Sequence, residues 1–123
     1  MKYFENALRR FKGEEVKEDV ALEIRDRAFI PEDYIRNEDV RLYFYERLSS
    51  ATTLAEIDSI EWELEDRFGP LPPEARKLLD IHRIRVRFPD YDLIRVENGS
   101  VRLFRNGNLE KMLSLKKALK IRV

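Results

Sequence analysis

One short run, Gly69 to Pro73, contains a glycine and three prolines and divides the most regular part of this chain into two helices. Before the run, apolar residues recur at spacings of three and four, as on one buried helix face: Leu54, Ile57, Ile60, Leu64 and Phe68. Gly69 stands where a residue in the left-handed conformation commonly ends a helix, and Pro70 lacks the N–H needed to continue it. Pro72 and Pro73 suit the start of a second helix, whose first amides need no partner within the helix. We therefore expect structural roles for four residues: Leu64, Phe68, Gly69 and Pro70.

Local signals also mark where the helices begin. Thr53 and Glu56 have the spacing of a capping box, in which each side chain binds the backbone of the other residue. Asn37 is a favourable N-cap for a helix that begins at the next residue, because carboxylates occupy the first turn of that helix. The helix after the prolines has its inner stripe at four positions: Ala75, Leu78, Leu79 and His82. Residues 84–89 fit either the frayed end of that helix or a short alternating strand.

A hairpin is predicted over residues 92–105 because Asn98-Gly99 is a strong signal for a two-residue turn. The register of this hairpin places Arg95 opposite Arg102. Like charges in opposite positions reduce the stability of a sheet. We therefore expect that face to be solvated or to meet an acidic group.

The two ends of the sheet are predicted from weaker patterns. Apolar and polar residues alternate over residues 20–25, which predicts a half-buried strand. A turn at residues 106–108 predicts a last helix from Leu109, followed by a short C-terminal strand at residues 120–123. The expected fold class is α+β, with a small, mainly antiparallel sheet covered by a helical layer.

Charge is distributed unevenly along a chain whose net charge is zero. Residues 1–75 contain 11 Lys and Arg against 19 Asp and Glu, a charge of −8, and residues 76–123 contain 13 against 5, a charge of +8. One interpretation is that these charges are solvated faces that pair in the folded domain. Another is a bipolar domain whose acidic side meets a basic partner. A further alternative is a nucleic-acid-binding module that uses the basic second half.

The chain shows no group suited to catalysis, metal binding or cofactor binding. None of its four glycines lies in a phosphate-binding motif, and with no cysteine and one histidine a zinc site would need three carboxylates. That histidine, His82, lies beside an apolar stripe, so we expect it to be packed and locally hydrogen-bonded. No apolar run is long enough to span a membrane, and the lack of cysteine fits a reducing cytoplasm. We expect a binding or regulatory domain, not an enzyme, with no catalytic residue, metal or cofactor.

Three blocks of sequence resemble the C-terminal (TRCF) domain of the bacterial transcription-repair coupling factor (Mfd) family. They are EIRDRAFIPEDYI at 23–35, VRLYFYERLSSATT at 40–53 and ELEDRFGPLPPEARKLLDIHRIR at 63–85. Their order and spacing match the family. The resemblance implies a regulatory domain over residues 16–123, preceded at residues 1–15 by a helical lead-in from a motor domain.

The resemblance also implies a function. The parent would be an ATP-driven DNA translocase that removes stalled RNA polymerase and recruits excision repair, and this domain would inhibit it without catalysis. It would fold back on an N-terminal, UvrB-like module and hide the basic surface that binds the damage sensor UvrA. We expect this domain itself to bind DNA at most weakly and without specificity. The residues expected at that contact are Ser59, Glu63 and Asp66 on the outer side of helix 54–68, with Trp62 beside Asp66. Glu63 and Asp66, one turn apart, are expected to clamp one or two arginines of that surface. The alternatives are a solvated face for the carboxylates, and packing against a neighbouring helix for Trp62.

Overall fold

The computed structural model describes residues 20–120, which form a sheet and a helical layer and confirm the α+β class. In chain order the elements are β1 (Ala21–Ile24), α1 (Glu38–Ser50), α2 (Leu54–Phe68), α3 (Pro73–Arg87), β2 (Leu93–Glu97), β3 (Ser100–Arg105), β4 (Asn108–Ser114) and α4 (Leu115–Lys120). The predicted lead-in helix at residues 1–15 lies outside the described residues. Helix α3 continues to Arg87, so residues 84–87 of the ambiguous segment are helical and do not form a strand.

The strands are arranged in the order β1-β2-β3-β4, and β1 is parallel to β2 while the other two pairs are antiparallel. A parallel pair needs a long crossover connection, which the three helices α1 to α3 supply. The predicted hairpin of β2 and β3 is confirmed, with Arg95 paired to Arg102. Asn98 and Gly99 have φ values of 52° and 72°, as a two-residue turn of this kind requires.

The prediction of a helix from Leu109 is wrong, because Asn108–Ser114 form β4 along the edge of β3. A second turn, with φ values of 53° at Asn106 and 79° at Gly107, closes this hairpin. A bulge lies behind the error: Phe104 pairs with Leu109 and Leu103 pairs with Lys111, so one residue between them is extra. Leu109 and Met112 consequently lie on the same sheet face although they are three residues apart, a spacing that imitates a helix.

The C-terminal strand predicted at residues 120–123 is likewise not supported at its first residue. Lys120 is the last residue of α4, and residues 121–123 lie outside the described part. The helix begins instead at Leu115, where the hydroxyl of Ser114 accepts a hydrogen bond from the N–H of Lys117 at 3.1 Å. Within residues 20–120 no helix combines the length and the apolar character needed to cross a membrane.

Helix α3 lies between the two halves of the core. Leu78 and Leu79 pack in a cluster with buried residues of α1 and α2, including Phe44, Leu48, Ile57, Ile60 and Leu64. Ile81 and Ile84, on an adjacent side of α3, pack in a second cluster with the sheet and with Ala118 of α4. The α1–α2 pair and the sheet therefore cover different sides of α3, and the second face of the sheet packs against none of the described helices.

Candidate functional site

Helix α2 presents one fully exposed face because its opposite face supplies the core. Ile57, Ile60 and Leu64 are buried, and at about 100° per residue the opposite side of the helix includes three residues of the predicted contact. We call these three, Ser59, Trp62 and Asp66, the outer face of α2. All three are exposed, and Trp62 retains 69% of its accessible surface. Of the two alternatives for Trp62, packing against a neighbouring helix does not occur within the described residues.

Glu63 occupies a different position, on the flank of α2 that faces α1. Its two carboxylate oxygens accept hydrogen bonds from Arg47 at 2.6 Å and from Arg67 at 3.2 Å. The hydrogen bond from Arg47 is the largest cause of a pKa of Glu63 below its ordinary value, against the opposing effect of desolvation. The arginines bound by Glu63 thus belong to this chain itself. Asp66, by contrast, makes no hydrogen bond or ion pair with any residue from 20 to 120.

Aromatic rings hold the two arginines of this cluster in position. The guanidinium of Arg47 lies 5.7 Å from the ring centre of Phe44, and that of Arg67 lies 5.6 Å from the same ring. Arg67 also lies 5.0 Å from the ring centre of Phe68. Such contacts between cations and aromatic faces are favourable. The i,i+4 spacing of Glu63 and Arg67 is visible in the sequence, whereas Arg47 comes from α1 and only the tertiary structure identifies it.

The other flank of α2 is tied to α3 in the same way. Arg83 donates to Asp58 at 2.9 Å and to Glu61 at 2.6 Å. Because ion pairs occupy both flanks, the helix is held at a defined rotation and the outer face of α2 points away from the domain. Of the two carboxylates expected to contact a partner, Asp66 is the one that pairs with no cation among residues 20–120.

The C-terminal end of α2 is closed by Tyr34, which the sequence did not suggest. The Tyr34 hydroxyl donates its single proton to the carbonyl oxygen of Gly69 at 2.7 Å, and the carbonyl oxygen of Leu64 shares this proton at 3.1 Å. Burial raises the pKa of this hydroxyl. Phe68 is half-buried, with its ring centre 5.8 Å from that of Tyr34 and 6.1 Å from that of Phe44. Gly69 has φ 91° and ψ −173°, a positive-φ cap in a region used almost only by glycine rather than the left-handed helical region. Pro70 is exposed beyond it.

His82 is packed inside the domain. It is 6% exposed, and Arg85 donates a hydrogen bond from Nε to Nδ1 of His82 at 3.3 Å. Burial is the main cause that lowers the pKa of His82 to about 4, and the nearby charge of Arg85 adds to it. The prediction of a packed, locally hydrogen-bonded histidine is confirmed. Among residues 20–120, no three His, Asp or Glu side chains are grouped in a way that could hold a metal ion.

The comparisons with known proteins agree with this fold. A model of the TRCF domain matches residues 22–115. The chain belongs to the TRCF domain family. This TRCF domain is 37% identical over 79 residues to the transcription-repair-coupling factor of Haemophilus influenzae, which covers 64% of this chain and 7% of that protein. It is 48% identical over 64 residues to the protein of the same name in Escherichia coli, covering 52% and 6% respectively.

A solved structure shows the same fold for a relative of this TRCF domain. A crystal structure of the C-terminal domain of transcription-repair coupling factor superposes with a TM-score of 0.65 at 18% identity, and the match covers 75% of this chain and 58% of that one. The two full-length relatives are far longer, since the matches cover less than a tenth of each. The comparisons thus identify the domain and its fold.

Proposed function

We propose that this TRCF domain is a non-catalytic regulatory module of a cytoplasmic transcription-repair translocase. In this proposal the domain covers the UvrA-binding surface of an N-terminal, UvrB-like module in the same parent chain. The observation that supports the proposal best is the outer face of α2, where the exposed Trp62 lies beside Asp66, a carboxylate that pairs with no cation of the described residues. Tryptophan is enriched among the residues that dominate binding energy at interfaces.

The geometry favours different roles for the two carboxylates. Asp66 is available to an arginine of a basic partner, because no described residue competes for it. Glu63 would have to share its oxygens with Arg47 and Arg67, so its main role is to hold the flank of α2. An arginine–carboxylate pair that becomes desolvated in a contact is costly to break, because the remaining charge is left unpaired. The mask should therefore depend mostly on Trp62 and Asp66, with Ser59 beside them.

The experiment is a pull-down of UvrA by the full-length parent carrying single substitutions. Asp66→Asn and Trp62→Ala should each expose the N-terminal module and raise the amount of UvrA captured. Asp90→Asn, which changes an exposed aspartate outside α2, is the matched control and should leave capture unchanged. Unchanged capture with both outer-face variants, while melts show intact folding, would mean that this face is only solvated.

A further inference from the structure

The sheet has a second face that packs against none of the described helices. Ile94, Val96, Val101 and Leu103 are fully buried against α3 and α4, so the residues that alternate with them face the other way. The strand pairing aligns these residues in two neighbouring rows across all four strands. The first row is Ala21, Leu93, Phe104 and Leu109, and the second is Glu23, Arg95, Arg102 and Met112. We call these eight residues the open sheet face.

The first row is apolar throughout, and the apolar surface extends into the second row at the edge strand. Leu109 is 51% exposed and Met112 is 59% exposed. Leu93 and Phe104 beside them are half-buried. Large apolar side chains that adjoin one another on a surface commonly mark a site of interaction with another protein.

The charges of the second row are not balanced. Arg95 is only partly neutralised, because the Glu23 carboxylate that accepts from its Nε at 3.1 Å also pairs with Arg25; its guanidinium lies 5.1 Å from the ring centre of Phe104. Arg102 stands directly opposite Arg95 and makes no ion pair with any residue from 20 to 120. Its Nε is buried without a hydrogen-bond acceptor in the described structure. A buried donor without a partner and a like charge in the opposite position both raise the free energy of this face.

We propose that the open sheet face docks an amphipathic helix of a partner protein, and that this helix carries a carboxylate which binds Arg102. The first row crosses four strands, about 14 Å at the usual strand spacing, which corresponds to roughly ten residues of helix. Apolar residues on one side of such a helix would cover the first row. A carboxylate on its flank would then reach the second row, accept from Arg102 and offset the repulsion between Arg95 and Arg102.

Two other occupants fit this face less well. A nucleic acid base would have to stack on Phe104, whose ring already carries the guanidinium of Arg95, which Glu23 holds in place. A second copy of the chain in a two-fold contact would bring two unpaired Arg102 side chains towards each other. A separate partner is also compatible with the proposed mask, because the sheet and the α1–α2 pair cover different sides of α3.

The test is a display selection with this 123-residue chain as the target. The library consists of helical peptides of about 14 residues, long enough to cross the sheet, with fixed apolar positions on one side. The remaining positions vary among Glu, Gln, Lys and Ser. We expect enrichment of Glu at one flanking position. Binding of the selected peptide should weaken roughly tenfold with Arg102→Gln, because a charge-assisted hydrogen bond is lost. It should weaken about threefold with Met112→Ser, because an exposed apolar contact is lost.

The controls are Lys120→Gln, which removes an exposed cation on α4, and Trp62→Ser on the outer face of α2; neither should alter peptide binding. The proposal fails if no peptide is enriched, if Lys rather than Glu is selected, or if Arg102→Gln binds the peptide as well as the unchanged chain. It also fails if an oligothymidine of about 12 nucleotides binds and Arg102→Gln abolishes that binding. The proposal is also overturned if sedimentation shows that the chain dimerises and that Met112→Ser abolishes the dimer, because the occupant would then be a second copy of the chain.

Discussion

Arg47 of α1 donates a hydrogen bond at 2.6 Å to Glu63 of α2, so a carboxylate expected to meet a partner's arginine already holds one of this chain's own. Arg67 binds the second oxygen of the same carboxylate. These bonds give Glu63 a different role from Asp66, although the two residues lie one turn apart on the same helix. It also determines which substitution tests folding and which tests binding.

Glu63→Ala should destabilise the isolated domain, whereas Asp66→Ala should not. Removing Glu63 leaves Arg47 and Arg67 near each other without their shared carboxylate. We expect a loss of about 1 kcal/mol in the free energy of unfolding, because the cluster is only partly exposed. Asp66→Ala is the matched control and should stay within about 0.5 kcal/mol. Urea titrations of both variants measure this, and equal stabilities would contradict the division of roles.

Gly69→Ala should destabilise the domain through the backbone alone. A Cβ at this position would meet no atom within 4 Å, so no steric contact opposes it. The φ of 91° and ψ of −173° are nevertheless costly for any residue with a side chain, and we expect a loss of roughly 2 kcal/mol. Ser59→Ala, an exposed change on the same helix, is the control. A thermal melt of Gly69→Ala that matches the unchanged domain would mean that the chain leaves α2 in a different conformation.

Phe68→Ala should be less damaging than a change at a fully buried phenylalanine. Phe68 is half-buried at the edge of its cluster, where it contacts the rings of Tyr34 and Phe44. We expect a loss near the lower end of the range for buried aromatic residues, about 3 kcal/mol. Phe44→Ala, at a position with no exposure, should cost more. If denaturant titration finds the two variants equal, Phe68 is a full member of the core.

The stability of the domain should fall as the pH drops below neutral, because of His82. The folded-state pKa of about 4 lies below the ordinary value of 6.5, so the unfolded chain binds more protons between these two values. The free energy of unfolding is then highest above pH 6.5 and declines as the pH falls towards 4. Below pH 4 His82 contributes no further pH dependence. Between pH 7 and pH 5 the loss should be about 2 kcal/mol.

The measurement is a series of denaturant titrations over this range, with His82→Gln as the comparison. Few carboxylates titrate above pH 5, so the variant should lose most of the pH dependence whatever its absolute stability. A variant that retains the full slope would show that other groups are responsible.

DNA binding by the domain should be weak, unspecific and sensitive to salt. The exposed lysines of β4 and α4, such as Lys111 and Lys117, form no ion pair within the described residues and offer a loose attraction to phosphates. Affinity for duplex DNA should fall steeply with added salt, in proportion to the few phosphates contacted. Fluorescence anisotropy at low and physiological salt measures this dependence. Tight, sequence-selective binding that survives physiological salt would favour a nucleic-acid-binding function instead of the mask.

Local sequence signals, which involve only a few neighbouring residues, were sufficient to predict much of the fold. The glycine and prolines at 69–73 predicted the break between α2 and α3, because glycine tolerates positive φ and proline lacks an N–H. Asn98-Gly99 predicted the first hairpin and its register. The 3.6-residue period predicted which side of α2 is buried and that Ser59 and Asp66 point outwards. It also placed Glu63 on the outer side, whereas Glu63 lies on the flank that faces α1.

Contacts between distant segments decided the rest. Strand β4 forms because its backbone pairs with the edge of β3, and a bulge between Leu109 and Lys111 hides the alternation of its side chains. The register of the hairpin predicted that Arg95 faces Arg102, but not which of them pairs with a carboxylate. Glu23 binds Arg95 because β1, 72 residues earlier in the chain, lies beside β2 rather than β3. Similarly, Arg47 reaches Glu63 only once α1 packs on α2, since pair interactions between helices depend on packing and not on sequence spacing.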